Sequence, residues 1–185
     1  TDHADSSVSV DYMRAVGGLR GDFAAPNGLG AWNWDIFYQF SRSDGDYTND
    51  RILDDAVRSA QFRAGSCVGT NLPVSGRPCV DINWLGGPFV SGTQTAQERA
   101  FLFDRETGNT LYEQRYVEGS ITGDLFALPA GNVAAALGFH HRTDEIDDTP
   151  GPITLANNAW GSSGAGRTVG EDTIGEVFAE VAVPI

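Results

Sequence analysis

The stretch WNWDIFYQFS, residues 32–41, constrains this chain more than any other, because its side chains alternate in character with a period of two. Such alternation indicates a β-strand with one apolar and one polar face. One face carries Trp32, Trp34, Ile36, Tyr38 and Phe40, and the other carries Asn33, Asp35, Gln39 and Ser41. A tilted strand of about ten residues is long enough to cross the hydrocarbon core of a membrane.

The same period recurs in four other segments, so the sequence predicts an all-β fold of about five antiparallel strands. The expected strands cover residues 11–23, 32–41, 117–128, 133–142 and 174–185. Connections after the first and third strands are short, whereas those after the second and fourth are long. All long loops then lie at one end of the sheet, which is typical of outer-membrane barrels with long extracellular loops.

Two short helices are expected within the first long connection. One covers residues 54–62. The other begins after Thr95, which is a possible N-cap with Glu98 three residues later, and stops at Gly108.

The alternation also fits a protein that never enters a membrane. A half-buried antiparallel sheet has the same pattern when a second sheet covers its apolar face. A soluble, exported β-sandwich that acts as a carbohydrate-binding or adhesive module is therefore the alternative. The unequal loop lengths and the tryptophans at one strand end favour the membrane interpretation.

The charge of the chain excludes one class of partner. Its 185 residues include 25 acidic and 12 basic ones, for a net charge of -13, so nucleic acid is not expected as a partner. A cationic ligand or bound divalent ions fit this charge better. Nucleotide-binding and nucleophile motifs are missing from the sequence, and we do not expect an enzyme.

One acidic stretch, DGDYTNDRILDD, has the spacing of a calcium loop. The oxygen-bearing side chains at its first, third, fifth, seventh and twelfth positions are Asp44, Asp46, Thr48, Asp50 and Asp55. Its sixth residue is Asn49 where such loops have glycine, so the stretch is only a weak Ca²⁺ candidate. A solvated acidic loop, bridged by divalent ions to lipopolysaccharide phosphates, is the other interpretation.

Five further residues are candidates for loop structure or ligand binding. In an exported protein Cys67 and Cys79 would form a disulfide, while two free thiols in a cytosolic protein is the competing interpretation. Trp84 and Trp160 lie in Gly-rich connections, where an exposed ring could stack on a ligand or anchor its own loop. Arg77 could pair with an anionic ligand.

Three segments together resemble a known family: WNWDIFYQFSRSDGDYTND, YVEGSITGDLFALPAGNVAAALGFHHRTDEIDDTPG and GEDTIGEVFAEVAVPI. They are similar to the barrel domain of TonB-dependent outer-membrane receptors. The resemblance covers most of the chain. It implies a barrel of about 22 strands in the outer membrane, filled by a plug domain. It also implies import of a scarce small-molecule nutrient, such as a siderophore, saccharide or cobalamin, driven by the TonB complex.

The chain departs from that family by omission. No plug domain or TonB box precedes the first strand, and five strands cannot close a bacterial barrel. We therefore expect residues 1–185 to be part of a single barrel domain. Its expected partners are the remainder of the barrel and plug, and outer-membrane lipid and lipopolysaccharide.

Overall fold

The computed structural model describes residues 5–25, 30–61 and 65–185 and shows an all-β protein. Its centre is one open, antiparallel sheet in which each strand neighbours the next along the chain. The strands are β1 Ser6–Ala24, β2 Ala31–Ile52, β3 Phe103–Leu128, β4 Gly131–Thr149 and β5 Thr168–Ala182. Four short helices lie in the long connections: α1 Asp54–Ala60, α2 Gly87–Val90, α3 Ala96–Leu102 and α4 Pro152–Leu155.

The expectation of five antiparallel strands with short helices in the long connections is confirmed. Most strands are longer than the alternation indicated, with β2 continuing for eleven residues past Ser41, to Ile52. The tight turn between the third and fourth expected strands is present as Pro129 and Ala130. Residues 26–29 of the first expected turn, and the Phe62 end of the first expected helix, lie outside the described residues.

The second expected helix illustrates how local chemistry fixes a helix start. Thr95 Oγ1 accepts a hydrogen bond from the Glu98 amide at 3.2 Å, and the Glu98 carboxylate accepts one from the Thr95 amide at 2.7 Å. This reciprocal capping box satisfies two amides that the helix leaves free. The stop expected at Gly108 is wrong, because α3 ends at Leu102 and the chain enters β3 at once.

The chain divides into two compact units, which we name after their contents. The strand unit comprises Asp11–Ser43, Leu111–Ile146 and Val169–Ile185. The loop unit comprises Asp44–Thr110, Asp147–Thr168 and the described part of Thr1–Val10.

The loop unit has its own hydrophobic core. Its buried apolar side chains come from α1 and the residue before it, from α3, and from residues 67–82, which contain the disulfide. They are Leu53, Ala56, Val57, Ala60, Cys67, Leu72, Cys79, Ile82, Phe101 and Leu102. The long connections are therefore packed structure, not merely solvated loops.

Candidate functional site

The strand unit exposes one apolar face. Its large side chains remain open to solvent, with Val177 84% exposed and Leu19 70% exposed. Other members of this apolar face are Met13, Phe23, Ile36, Tyr38, Leu137, Phe139, Val181 and Val183. A contiguous apolar surface of this kind marks a contact with lipid or with another protein surface.

The two tryptophans at the start of β2 lie close to the backbone of neighbouring strands. A Cβ on Gly21 would stand only 3.0 Å from the Trp34 ring, so glycine permits this close contact. Trp32 donates its ring N–H to the Asp124 carbonyl at 3.1 Å. Each ring is partly exposed, which suits an amphipathic side chain where water meets an apolar layer.

The apolar face ends at charged residues, which we call the charged border. Two residues beyond Phe40 on β2, the Arg42 guanidinium lies 3.0 Å from the Glu113 carboxylate. Arg115 lies 3.5 Å from Glu113 and 3.1 Å from Glu145 on β4. Because side chains alternate along a strand, Arg42 shares the face of Phe40, and the change from apolar to charged occurs within one step.

The opposite face of the strand unit is a network of hydrogen-bonded polar groups. Arg14 donates to Gln39 at 2.5 Å, Gln39 to Gln114 at 3.2 Å, and Gln114 to Asp144 at 2.8 Å. The Tyr112 hydroxyl also donates to Asp144, at 2.7 Å. These bonds join β1, β2, β3 and β4, and only the alternation of polar side chains along each strand indicated this face in advance.

In the loop unit, Cys67 and Cys79 are joined by a disulfide with a Cα–Cα distance of 5.7 Å. This confirms the pairing that the sequence favoured for an exported protein. Both residues are buried in the core of the unit.

The structure places the three candidate ligand residues in different environments. The Trp84 ring N–H donates to the Ala60 carbonyl at 2.9 Å, and the ring packs edge-on against Phe89, so Trp84 anchors its own segment. Arg77 pairs with Asp104 and donates to the Phe103 carbonyl at 2.9 Å. These contacts occupy the Arg77 guanidinium.

Trp160 differs from Trp84 because its ring is 51% exposed while its backbone is fixed. Its amide donates to the Ile52 carbonyl at 2.8 Å. Trp160 therefore keeps an accessible ring on an anchored backbone, and its role in ligand binding stays a prediction.

The calcium-loop spacing falls on extended backbone. Asp44, Asp46, Thr48 and Asp50 belong to β2, and Asp55 belongs to α1. The sharp loop that an EF-hand site needs is not formed there. Among residues 5–25, 30–61 and 65–185, no group of three or more His, Cys, Asp or Glu side chains is arranged to hold a metal ion.

The carboxylates of that stretch on β2 instead accept hydrogen bonds from side chains on β3. Asn109 on β3 donates to both Asp44 and Asp46, at 2.7 and 2.9 Å. Arg105 donates two hydrogen bonds to Asp50, at 2.7 and 3.3 Å. Cross-strand pairs of this type stabilise a sheet locally.

Two buried carboxylates hold the loop unit together. Burial raises the pKa of Asp55, but hydrogen bonds from the Ser75 amide and the Asn158 side chain outweigh it, so the pKa lies below its usual value. Glu106 is likewise buried, and bonds from Thr154 and Arg51 lower its pKa in spite of burial. Both groups are therefore charged at neutral pH and act as acceptors, not as acids.

No protein-family model matches this chain, and a search of curated proteins found no significant match. Within the described part of the chain, none of the helices is long and apolar enough to cross a membrane.

Proposed function

We propose that this chain forms part of the wall of an outer-membrane β-barrel of the TonB-dependent receptor class, which imports a scarce small-molecule nutrient. The observation that carries the proposal is the apolar face of the strand unit, which is exposed and ends at the charged border. In a barrel this face contacts lipid, and the polar face lines the interior.

The height of the apolar face fits a bilayer. The positions from Trp32 to Phe40 span about 26 Å at the usual rise of a strand. With a tilt of about 40°, they rise about 20 Å, close to the apolar band of about 25 Å in outer-membrane barrels. Trp32 and Trp34 would lie at the periplasmic interface, and the charged border at the outer one.

The narrower assignment to TonB-dependent receptors rests on the sequence motifs quoted above. Under this assignment, the partners are further strands and a plug that complete the receptor, the TonB complex, and lipopolysaccharide. The substrate is a siderophore, saccharide, cobalamin or similar small molecule. The long connections and their packed helices would be extracellular, since they follow the strand ends opposite the short turns. Transport by this class involves no covalent chemistry, in keeping with the expectation that the chain is not an enzyme.

The test is a pair of arginine substitutions on the two faces of β2. In the intact protein, Ile36→Arg places a charge in the middle of the apolar face, where lipid exposure costs about 2–4 kcal/mol. Asn33→Arg is the matched control on the polar face. We expect Ile36→Arg alone to reduce the amount of heat-modifiable protein in the outer-membrane fraction.

Two results would contradict the proposal at different levels. If the unaltered protein partitions into the aqueous phase and folds without detergent, the soluble carbohydrate-binding or adhesive sandwich takes its place. If the protein assembles in the outer membrane but nutrient uptake persists without TonB, only the receptor class is wrong.

A further inference from the structure

The polar face of the strand unit contains a line of three rings that its hydrogen-bond network does not include. The Phe37 and Tyr116 ring centroids are 5.6 Å apart, and those of Tyr116 and His140 are also 5.6 Å apart. We call Phe37, Tyr116 and His140 the aromatic row. It crosses β2, β3 and β4 beside the hydrogen-bonded polar groups, and each of its residues remains partly exposed.

Two carboxylates flank the aromatic row. The Tyr116 hydroxyl donates to Glu118 two residues along β3. At the His140 end of the row, Glu176 of β5 lies 3.3 Å from His140 Nε2, and the Glu176 side chain is 62% exposed. The row therefore combines ring faces with one carboxylate beside its middle ring and one beside its His140 end.

The backbone of β1 passes close to Phe37 at Gly18. A Cβ on Gly18 would stand 2.9 Å from the Phe37 Cβ, so any larger residue there would displace Phe37. Arg142, a cation on the same strand as His140, forms an ion pair with Asp144, with its Nε 2.8 Å from the carboxylate.

We propose that the aromatic row with Glu118 and Glu176 binds an organic cation, such as a primary or quaternary ammonium group, on the polar face. Ring faces attract such cations within about 6 Å of the centroid, and carboxylates add charge complementarity. The net charge of -13 favours the same ligand class over an anion. The inference rests on the proposed function in one respect, since a barrel interior would bring solutes to this face.

The probe is choline, compared with its neutral isostere 3,3-dimethylbutanol, titrated calorimetrically into the detergent-solubilised intact protein. We expect choline to bind and the neutral alcohol to bind at least about tenfold more weakly, since only the cation gains the charge contribution. Tyr116→Leu should weaken choline binding about tenfold, and Glu176→Gln severalfold. Tyr116→Phe keeps the ring and should retain binding.

Phe178→Leu is the matched control, because Phe178 is an aromatic residue of the same face that packs on Gly138 outside the row. Equal binding of the two probes, no choline binding, or equal losses in Phe178→Leu and Tyr116→Leu would each overturn the proposal. Binding of maltose that depends on Tyr116, without choline binding, would identify a carbohydrate site instead. Heat-modifiable assembly of each variant is measured in parallel, so failure of the cation site is distinguishable from failure of the membrane assignment.

Discussion

Asp55 and Asn158 hold each other by two hydrogen bonds across a separation of 103 residues. The Asp55 amide donates to Asn158 Oδ1 at 2.9 Å, and Asn158 Nδ2 donates to Asp55 Oδ1 at 3.0 Å. The other carboxylate oxygen of Asp55 accepts from the amides of Ser75 and Val74, at 2.7 and 3.2 Å. One carboxylate thus joins the start of α1 to two distant segments of the loop unit.

Replacing Asn158 with alanine should loosen those segments. The substitution leaves the buried Asp55 carboxylate short of a donor, which costs about 1–3 kcal/mol. We expect hydrogen exchange at the Ser75 and Val74 amides to become faster in Asn158→Ala. The exposed Asn71, changed to alanine in the same unit, is the control; equal acceleration in both variants would refute a specific role for Asn158.

The loop unit should lose stability in acid. The pKa values of Asp55 and Glu106 are lower in the folded protein than their usual values of 3.8 and 4.5. A carboxylate with a depressed pKa stabilises the fold fully above its unfolded value, and this contribution is lost as pH falls through the folded value. Hydrogen exchange at the Thr154 amide, corrected for its intrinsic pH dependence, should therefore become less protected below about pH 4.5.

Glu106→Gln tests how much of this loss of stability in acid comes from Glu106. Glu106 accepts from the Thr154 amide at 2.9 Å and from Arg51 Nε at 2.7 Å. Without the carboxylate, the Thr154 amide should be less protected from hydrogen exchange at neutral pH, and this protection should depend less on pH. An unchanged pH profile would show that Glu106 does not contribute.

Reduction of the Cys67–Cys79 disulfide should destabilise the loop unit. Its sequence separation of 12 closes a short loop, and cross-links of this size contribute about 3 kcal/mol. We expect the Cys67→Ser, Cys79→Ser double variant to show faster exchange at the Leu72 amide, which donates to the Arg77 carbonyl within the closed loop. Amides of the strand unit provide the internal control, and similar acceleration there would point to global unfolding.

The sequence predicted the centres of the strands better than their ends. Where apolar and polar side chains alternate, as from Trp32 to Ser41, the period alone identifies a strand. The following residues, SDGDYTND, look like a solvated loop because they are polar on both faces. They are nevertheless extended, since Asn109 and Arg105 on β3 satisfy their carboxylates, and such partners are invisible in a local pattern.

The candidate site was predictable to a similar degree. Alternation identified both faces of the strand unit. The capping box at Thr95 was also predictable, because its partner Glu98 lies only three residues along the chain. The aromatic row and the buried pair of Asp55 with Asn158 depend on contacts between distant segments. Trp84 could not be distinguished from an exposed ligand residue until its bond to the Ala60 carbonyl was known.

Spin labels along β5 should show whether the two faces of the sheet meet different solvents. Val177 and Val181 lie on the apolar face, while Glu176 and Glu180 alternate with them. In the intact protein reconstituted in bilayers, we expect labels at 177 and 181 to collide mainly with oxygen dissolved in lipid. Labels at 176 and 180 should collide mainly with a water-soluble nickel chelate.

Ser163, an exposed residue of the loop unit, is the reference position for full access to water. A nickel response at 177 and 181 equal to that at 163 would remove the apolar face from the membrane. Low access of both reagents at 177 and 181 would mean that protein covers this face, as a second sheet does in a sandwich. Adjacent residues of a strand point to opposite faces. Only lipid contact on one face therefore makes oxygen dominate at 177 and 181 while the nickel chelate dominates at 176 and 180.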